Sequence, residues 1–288
     1  MKIEHICAGA RPGSLRNDDH VAVFTSAEVT DIVVIDGGSS VAERDYIDER
    51  QGDVAWFVHA FAAALQKRLK PGRDQQDCVW LAIADVRAQF TNLAVGLNVP
   101  LHAWPIAAMT WLRISHHNGA KRATLYSLGD CKTLLYTAPA NCIDLDPFVN
   151  PQEAILQDAI ATLKTEGVDD PVRRRERMLP MLRARRESQN TAPMPNVLCL
   201  APNGPFQART GSVTLADDAR MLVMTDGFYR LVDLYGLYTD ASLVEACIGF
   251  GLRSQLDKLR SHESTSARNA ISAVKSADDA SAVLWTAA

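Results

Sequence analysis

The sequence predicts an α+β protein in which strands and helices form separate layers. Strand patterns occur at both ends of the chain, as HVAVF at 20–24 and DIVVI at 31–35, and again as ASAVLW at 280–285. Helical patterns lie between them and do not alternate with single strands, which argues against βαβ units. Without an internal repeat or long linker, we predict a single domain over residues 1–288 with a helical insertion at about 140–195.

The strand predictions rest on short runs of β-branched and aromatic residues bounded by polar, Gly or Pro residues. The turn sequence GDCK separates the runs ATLYSL and TLLYT, and this spacing predicts a β-hairpin. The predicted strands are 3–8, 20–24, 31–35, 104–114, 123–128, 133–137, 196–201, 212–215, 220–225 and 280–285.

The helix predictions rest on apolar residues repeating at intervals of three and four positions. The first helix is expected to stop at the sequence PGR, because proline cannot continue a helix. The aromatic-rich stretch 226–238 is expected to pack as a helix under the acidic strand ends, with Phe228, Tyr229 and Leu231 in or near the core. Besides the helix at 226–238, the predicted helices are 53–70, which is the first helix, 76–95, 151–164, 239–250 and 251–261.

The composition is that of a soluble globular protein, with 47% hydrophobic and 22% charged residues. The net charge of −4 gives no general attraction to nucleic acid or to an anionic membrane. The six cysteines form no CxxC pair, which favours reduced thiols, and the N-terminus has no apolar signal region. We therefore expect a cytoplasmic protein with neither a nucleic acid nor a membrane as partner.

Acidic residues recur where predicted strands begin or end. A single strand-end aspartate usually caps a turn. Two of the strand-end acids, however, share one pattern, in which an apolar strand is followed by Asp-Gly. If the strand ends converge, their carboxylates and a glycine carbonyl form the oxygen-rich ligand set that Mg²⁺ and Mn²⁺ prefer. The strand-end acids are Asp18, Asp19, Asp36, Asp130, Asp226, Asp278 and Asp279.

The acidic elements NDD, VVIDGG, GDCK, LVMTDGF and ADDASAVLW, in this order, resemble the motifs of the protein phosphatase 2C family. That family comprises metal-dependent serine/threonine phosphatases, and the resemblance extends from about residue 16 to 284. It implies a four-layer αββα sandwich, with two antiparallel sheets flanked by helices and the metals at one end. It also implies that 140–195 is the variable flap beside the active site.

The resemblance assigns a role to each matching residue. Asp36 would bridge two Mn or Mg ions and the carbonyl of Gly37 would bind one of them, while Asp226 and Asp278 would bind the other. Asp18 and Asp19 match the acidic pair near the N-terminus, and Asp130 matches an aspartate that helps hold a third ion in some members. The implied catalytic centre is Asp36, Asp226 and Asp278.

Four departures from the family pattern affect the predicted centre. Residues 36–40 read DGGSS, and no histidine follows Gly37 to serve as a general acid. The arginine expected to bind phosphate corresponds to Ser14, so Arg11 or Arg16 is the candidate to replace it. Asp18 is one methylene shorter than the glutamate of the family.

These features predict a bacterial-type phosphoprotein (Ser/Thr) phosphatase, in which a metal-activated water attacks phosphorus directly. We expect a monomer whose substrate is a phosphorylated protein, the target of a Ser/Thr kinase. Two alternatives remain open. One is a catalytically impaired pseudophosphatase that acts as a regulatory binding module, and the other is a hydrolase of a small phosphorylated metabolite.

Three further features have both functional and structural interpretations. The basic run 173–186 could recruit an acidic or phosphorylated partner, or be a solvated helix face. His116 and His117 are adjacent in a predicted turn or strand, and a structural role is favoured over metal binding. Cys131 would be reactive only if its pKa were lowered.

Overall fold

The computed structural model describes residues 1–11, 13–14, 16–70, 72–117, 120–137, 141–266 and 277–287. Its strands are β1 Lys2–Ala8, β2 Asp19–Thr25, β3 Val29–Gly37, β4 Ile106–His117, β5 Ala120–Leu128, β6 Lys132–Thr137, β7 Asn141–Asp144, β8 Leu198–Cys199, β9 Arg209–Leu215, β10 Arg220–Met224 and β11 Ala280–Thr286. Its helices are α1 Asp53–Arg68, α2 Gln75–Leu93, α3 Pro151–Thr165, α4 Pro171–Thr191, α5 Asp226–Tyr229 and α6 Asp240–Ser266.

The strands form two antiparallel sheets. One has five strands in the order β1-β11-β10-β6-β7, and the other has the order β2-β3-β4-β5-β9, with β8 paired to β4. Helices cover the outer face of each sheet, so the predicted α+β four-layer αββα sandwich is confirmed. Within the described ranges, no helix has both the length and the apolarity needed to cross a bilayer.

Three apolar clusters correspond to the three interfaces between the four layers. Along β3, Ile32 and Val34 face the opposite sheet, while Val33 and Ile35 face α1 and α2. The alternation follows from the two-residue period of a strand, and burial on both faces explains why this run is continuously apolar. The third cluster packs α6 against the outer face of the five-stranded sheet, with Leu243 among its buried residues.

The hairpin predicted around GDCK is wrong. Strand β5 pairs with β4 and β9, whereas β6 pairs with β10 and β7 in the other sheet. The turn is a corner between the sheets, and Gly129 adopts a φ of 77° there. A Cβ atom at Gly129 would overlap Ala108, so the corner passes too close to β4 for any larger residue.

Other boundaries differ from the predicted ones in instructive ways. The strand expected over 196–201 is reduced to β8, because only two of its residues pair with the start of β4. The predicted break between helices at 250 and 251 is confirmed inside α6, where Gly251 has a non-helical φ of 80°. The predicted histidine pair ends β4, but the side chains of His116 and His117 lie outside the described part of the structure.

Candidate metal centre

The register of the five-stranded sheet brings several strand-end acids to one edge. Met224 of β10 pairs with Lys132 of β6 and with Ala282 of β11, and both pairings are antiparallel. Residues that follow β10 therefore lie beside residues that precede β6 and β11. The carboxylates brought to this edge are Asp130, Asp226 and Asp278.

The second sheet brings its own acids to the same place. Asp36 near the end of β3 pairs in register with Asp19 at the start of β2. The Thr225 hydroxyl, which directly follows β10, donates a hydrogen bond of 2.9 Å to Asp19 Oδ2. This buried bond joins the two sheets at the acidic end, so Asp36 faces the carboxylates of the other sheet.

The neighbouring carboxylates also perturb one another's pKa values. Burial raises the pKa of Asp36 well above its usual range, and the charges of the neighbouring acids, Asp226 first, raise it further. Burial, followed by the charges of Asp130 and Asp278, raises the pKa of Asp226 to about 6. The Asp226 side chain is exposed at the surface of the centre, so solvent screens part of this repulsion. Such a cluster needs protons or a cation to offset the repulsion.

The residues fit a hard divalent cation in chemical type and in charge, since every candidate ligand atom is oxygen. Their present arrangement is incomplete. Among the described residues, no three His, Cys, Asp or Glu side chains are already grouped as metal ligands. Asp278 Oδ2 lies 2.7 Å from Arg230 Nη2, so this carboxylate faces a guanidinium. Metal binding by Asp278 would require it to exchange this partner.

Arg230 is a residue of the centre that the sequence prediction missed. It directly follows the short helix α5, four positions after Asp226. A second arginine, Arg260 of α6, pairs with Glu263 at 2.6 Å and donates to the carbonyl of Asp278 at 2.7 Å. No sequence motif marks these arginines, because one follows α5 and the other lies in α6, and only the fold brings them to this edge.

Asp279 has a structural role, because its carboxylate binds backbone groups of the N-terminal segment. Its two carboxylate oxygens each accept a backbone N–H, from Ala10 and from Asp18, at 2.7 Å. The Asp18 carbonyl in turn accepts from the Gly37 N–H at 3.0 Å. Asp279 thus fixes the N-terminal segment beside Asp18. A Cβ atom at Gly227 would overlap the Asp279 carbonyl, which explains the glycine after Asp226.

Asp130 connects the centre to the predicted flap. Its Oδ2 accepts a hydrogen bond of 2.7 Å from the side-chain amide of Asn150. The same Asn150 is the N-cap of α3, where its side-chain oxygen accepts from the Gln152 N–H. The start of the flap is therefore tied directly to one predicted metal ligand.

The basic run of the flap forms α4 and holds the DGGSS element in place. Arginine side chains of α4 donate to four consecutive backbone carbonyls, those of residues 38–41, at 2.8–3.2 Å. The deepest, Arg186, bonds two of them and is 6% exposed. Burial lowers its pKa to about 10. The interpretation as a solvated face therefore describes only part of α4. The arginines that donate are Arg175, Arg183 and Arg186.

The predicted phosphate-binding arginines lie at the N-terminal side of the centre. The Arg16 guanidinium pairs with Asp45 at 2.8 Å and also donates to the Glu49 carbonyl. Arg11 is exposed, and its carbonyl accepts from the Ser14 N–H in a turn. The assignment of phosphate binding to Arg11 or Arg16 stays a prediction.

Cys131 lies behind the acids as a neutral thiol. It is fully buried, and burial together with the charge of Asp36 raises its pKa well above the usual range. Because the thiolate is the reactive form, Cys131 is not an activated nucleophile.

Bacterial phosphatases are among the solved structures that are similar to this chain. A serine/threonine phosphatase of S. agalactiae matches with a TM-score of 0.56 and 11% identity over 99% of both chains. The Mycobacterium tuberculosis serine/threonine phosphatase PstP/Ppp matches with a TM-score of 0.51 and 14% identity, over 98% of this chain and 97% of that one. A structure of the PP2C phosphatase domain of SpoIIE from Bacillus subtilis, with a fragment of its regulatory domain, has a TM-score of 0.52 and 11% identity. That match covers 98% of this chain and 62% of the other.

The architecture and the order of acidic strand ends define the class of protein. The chain has the fold of the protein phosphatase 2C family, so the resemblance carried by its motifs is confirmed at the level of the fold. No protein-family model and no curated protein sequence matches the chain. Similarity at 11–14% identity establishes the fold, whereas activity has to be argued from the residues of the centre.

Proposed function

We propose that this chain is a metal-dependent phosphoprotein (Ser/Thr) phosphatase. The observation that carries the proposal is the convergence of Asp36, Asp130 and Asp226 at one end of the sandwich, which the strand register and the Thr225–Asp19 hydrogen bond produce. An accumulation of carboxylates, two of them half-buried, is costly without a counterion. Its position in a protein phosphatase 2C fold supports phosphate ester hydrolysis as the function.

Within this proposal the acidic residues are the ligands of two Mn or Mg ions. Asp36, the Gly37 carbonyl, Asp226 and Asp278 would hold these ions. Asp18 and Asp19 would contribute from the N-terminal side, and Asp130 would help to hold a third ion. When bound, such ions would activate water and stabilise charge on the phosphoryl group.

Other residues of the chain prepare this site. Asp279 orients the backbone of Asp18, and Thr225 holds Asp19 through its hydroxyl. The arginines of α4 fix the loop after Gly37 through its carbonyls. These contacts hold the ligand-bearing segments in place before substrate binds, which is the arrangement that electrostatic stabilisation of a transition state requires.

The test is hydrolysis of an aryl phosphate with and without Mn²⁺, by the wild-type protein and by Asp226→Asn. We expect Mn-dependent activity in the wild type and its loss in the variant. Asp217→Asn is a matched control, because the Asp217 side chain is 99% exposed and far from the proposed chemistry. Wild-type protein without activity in excess Mn²⁺, or an active Asp226→Asn variant, would overturn the proposal. Phosphoserine peptides and small sugar phosphates then distinguish a protein substrate from a metabolite.

One observation favours the second candidate, an impaired phosphatase kept as a binding module. The guanidinium of Arg230 pairs with Asp278 and so occupies the place of a cation next to one proposed ligand. The measurement that separates the candidates is the Mn²⁺ affinity of the wild type and of Arg230→Gln. An inactive wild type, together with an Arg230→Gln variant that binds Mn²⁺ and is active, would support the impaired phosphatase.

A further inference from the structure

Helix α4 carries an arginine, Arg185, with a hydrogen-bond donor that no described residue accepts. The Nε–H of Arg185 is buried and has no hydrogen-bond partner among the described residues. A buried donor without a partner costs about 1–3 kcal/mol and calls for an explanation. The side chain as a whole is half-buried, so part of it is accessible to solvent.

The location of Arg185 is set by its neighbour. Arg186 is anchored on the carbonyls of Gly38 and Ser39, immediately after the proposed metal-binding segment. Adjacent residues of a helix point in directions about 100° apart, so Arg185 faces a different side from this anchor. The carboxylates that act on its guanidinium are Asp130 and Glu153. Asp130 is also one of the charges that act on Asp36 and Asp226, so Arg185 borders the acidic centre.

The other arginines at the centre are already engaged. Arg230 pairs with Asp278 at 2.7 Å and lies 3.9 Å from Glu263. Arg186 is committed to backbone carbonyls. Arg230 also has a buried Nη1 without a hydrogen-bond partner, but its Nη2 is held by Asp278, whereas no ion pair holds Arg185 among the described residues. A planar guanidinium in this state matches the geometry of a phosphate group, which accepts two parallel N–H bonds.

We propose that Arg185 binds the phosphoryl oxygens of the substrate and thereby makes the flap part of the active site. The inference rests on the proposed function for its substrate class, a phosphate monoester. It assigns Arg186 the separate role of holding α4 at the distance that allows Arg185 to reach the phosphate. Binding would supply the partner that the Arg185 Nε–H lacks.

The experiment compares Arg185→Gln and Arg185→Lys with the wild type. The readouts are kcat and KM for an aryl phosphate with Mn²⁺, the inhibition constant of inorganic phosphate, and calorimetric titration with inorganic phosphate. A hydrogen bond to a charged group is worth about 10- to 100-fold in binding. We expect Arg185→Gln to weaken phosphate binding by that factor and Arg185→Lys, which keeps charge but loses the planar fork, by less.

Arg173→Gln is the matched control, since it removes the same charge from an exposed position at the start of the same helix. It should leave phosphate binding and activity unchanged. The melting temperature of Arg185→Gln should equal or exceed that of the wild type, because the substitution removes an unpaired buried donor.

The outcomes separate the two proposals. An active wild type with unchanged phosphate binding in Arg185→Gln would overturn the role of Arg185 and leave the phosphatase intact. Equal losses in Arg185→Gln and Arg173→Gln would also overturn it, because the effect would then be general electrostatics. An inactive wild type that still binds phosphate through Arg185 would refute the proposed function and support this inference. An inactive wild type whose phosphate binding does not depend on Arg185 would refute both.

Discussion

Asp279 gives the sharpest test of how the acidic end is held together. Its carboxylate accepts two backbone N–H groups, from Ala10 and Asp18, which lie 269 and 261 residues away in sequence. Both bonds are 2.7 Å long and charge-assisted. Asp279→Ala would remove both acceptors and release the N-terminal segment from the end of the sandwich.

The expected loss can be worked from these two bonds. A hydrogen bond to a charged group contributes about 1.5–3 kcal/mol, and the half-buried site lets water replace part of it. We therefore expect Asp279→Ala to lower the free energy of unfolding by about 3 kcal/mol. For a chain of this length that corresponds to a fall of about 6 °C in melting temperature. Asp279→Asn keeps one acceptor oxygen and should lose about half as much.

Urea unfolding of the wild type and the two variants measures these differences. Asp217→Ala is the control, because a fully exposed aspartate should change the free energy of unfolding by less than about 0.5 kcal/mol. The reasoning would be refuted by an Asp279→Ala variant as stable as this control. It would also be refuted if Asp279→Asn were as stable as the wild type.

Three further predictions concern the same end of the sandwich and its flank. Thr225→Val should lower the free energy of unfolding in urea by about 2 kcal/mol, because the buried carboxylate at the start of β2 loses its hydrogen-bond donor. Thr225→Ser keeps the hydroxyl and should recover most of this stability. Equal losses in the two variants would argue against a role for the hydroxyl. Gly227→Ala should reduce both stability and Mn-stimulated activity, because its Cβ would overlap the backbone just before β11. Gly211→Ala is the control, since it has open space around it. Equal effects of the two substitutions would contradict the steric explanation. Burial, with a smaller effect from His59, lowers the pKa of His20 to about 4 in the folded protein. In the unfolded chain His20 has its ordinary pKa of about 6.5, so as the pH falls it binds a proton in the unfolded chain before it does so in the folded protein. Stability tied to His20 is thus complete at pH 7 and is lost towards pH 4, and the partly exposed ring limits this to about 2 kcal/mol. His20→Gln should lose that much less than the wild type between pH 7 and pH 4 in urea unfolding, and identical losses would contradict the assignment.

The layers of the fold were predictable because they depend on local patterns. The apolar run at 31–35 predicted the strand β3, whose side chains alternate between two clusters in the structure. The break in α6 was also predictable from local sequence, because two glycines lie around position 250. Such features require only backbone preferences and the burial of apolar surface.

Pairing between distant strands was not predictable in the same way. The spacing around GDCK indicated a hairpin, yet a corner of the same length sends β6 into the other sheet. Turn length constrains only the ends of two strands, and whether they pair depends on the partners that the rest of the chain supplies. The close approach of Gly129 to Ala108 is a contact that no local pattern records.

The sequence by itself determined the order of layers and the strand-end positions of the acids, because the length and period of each element follow from neighbouring residues. Only the tertiary structure decided which groups surround those acids. Arg230, Asp279 and the arginines of α4 reach the centre from segments far apart in the chain. Their contacts arise from the packing of helices and loops against the sheets, and side chains brought together that way leave no fixed spacing in the sequence.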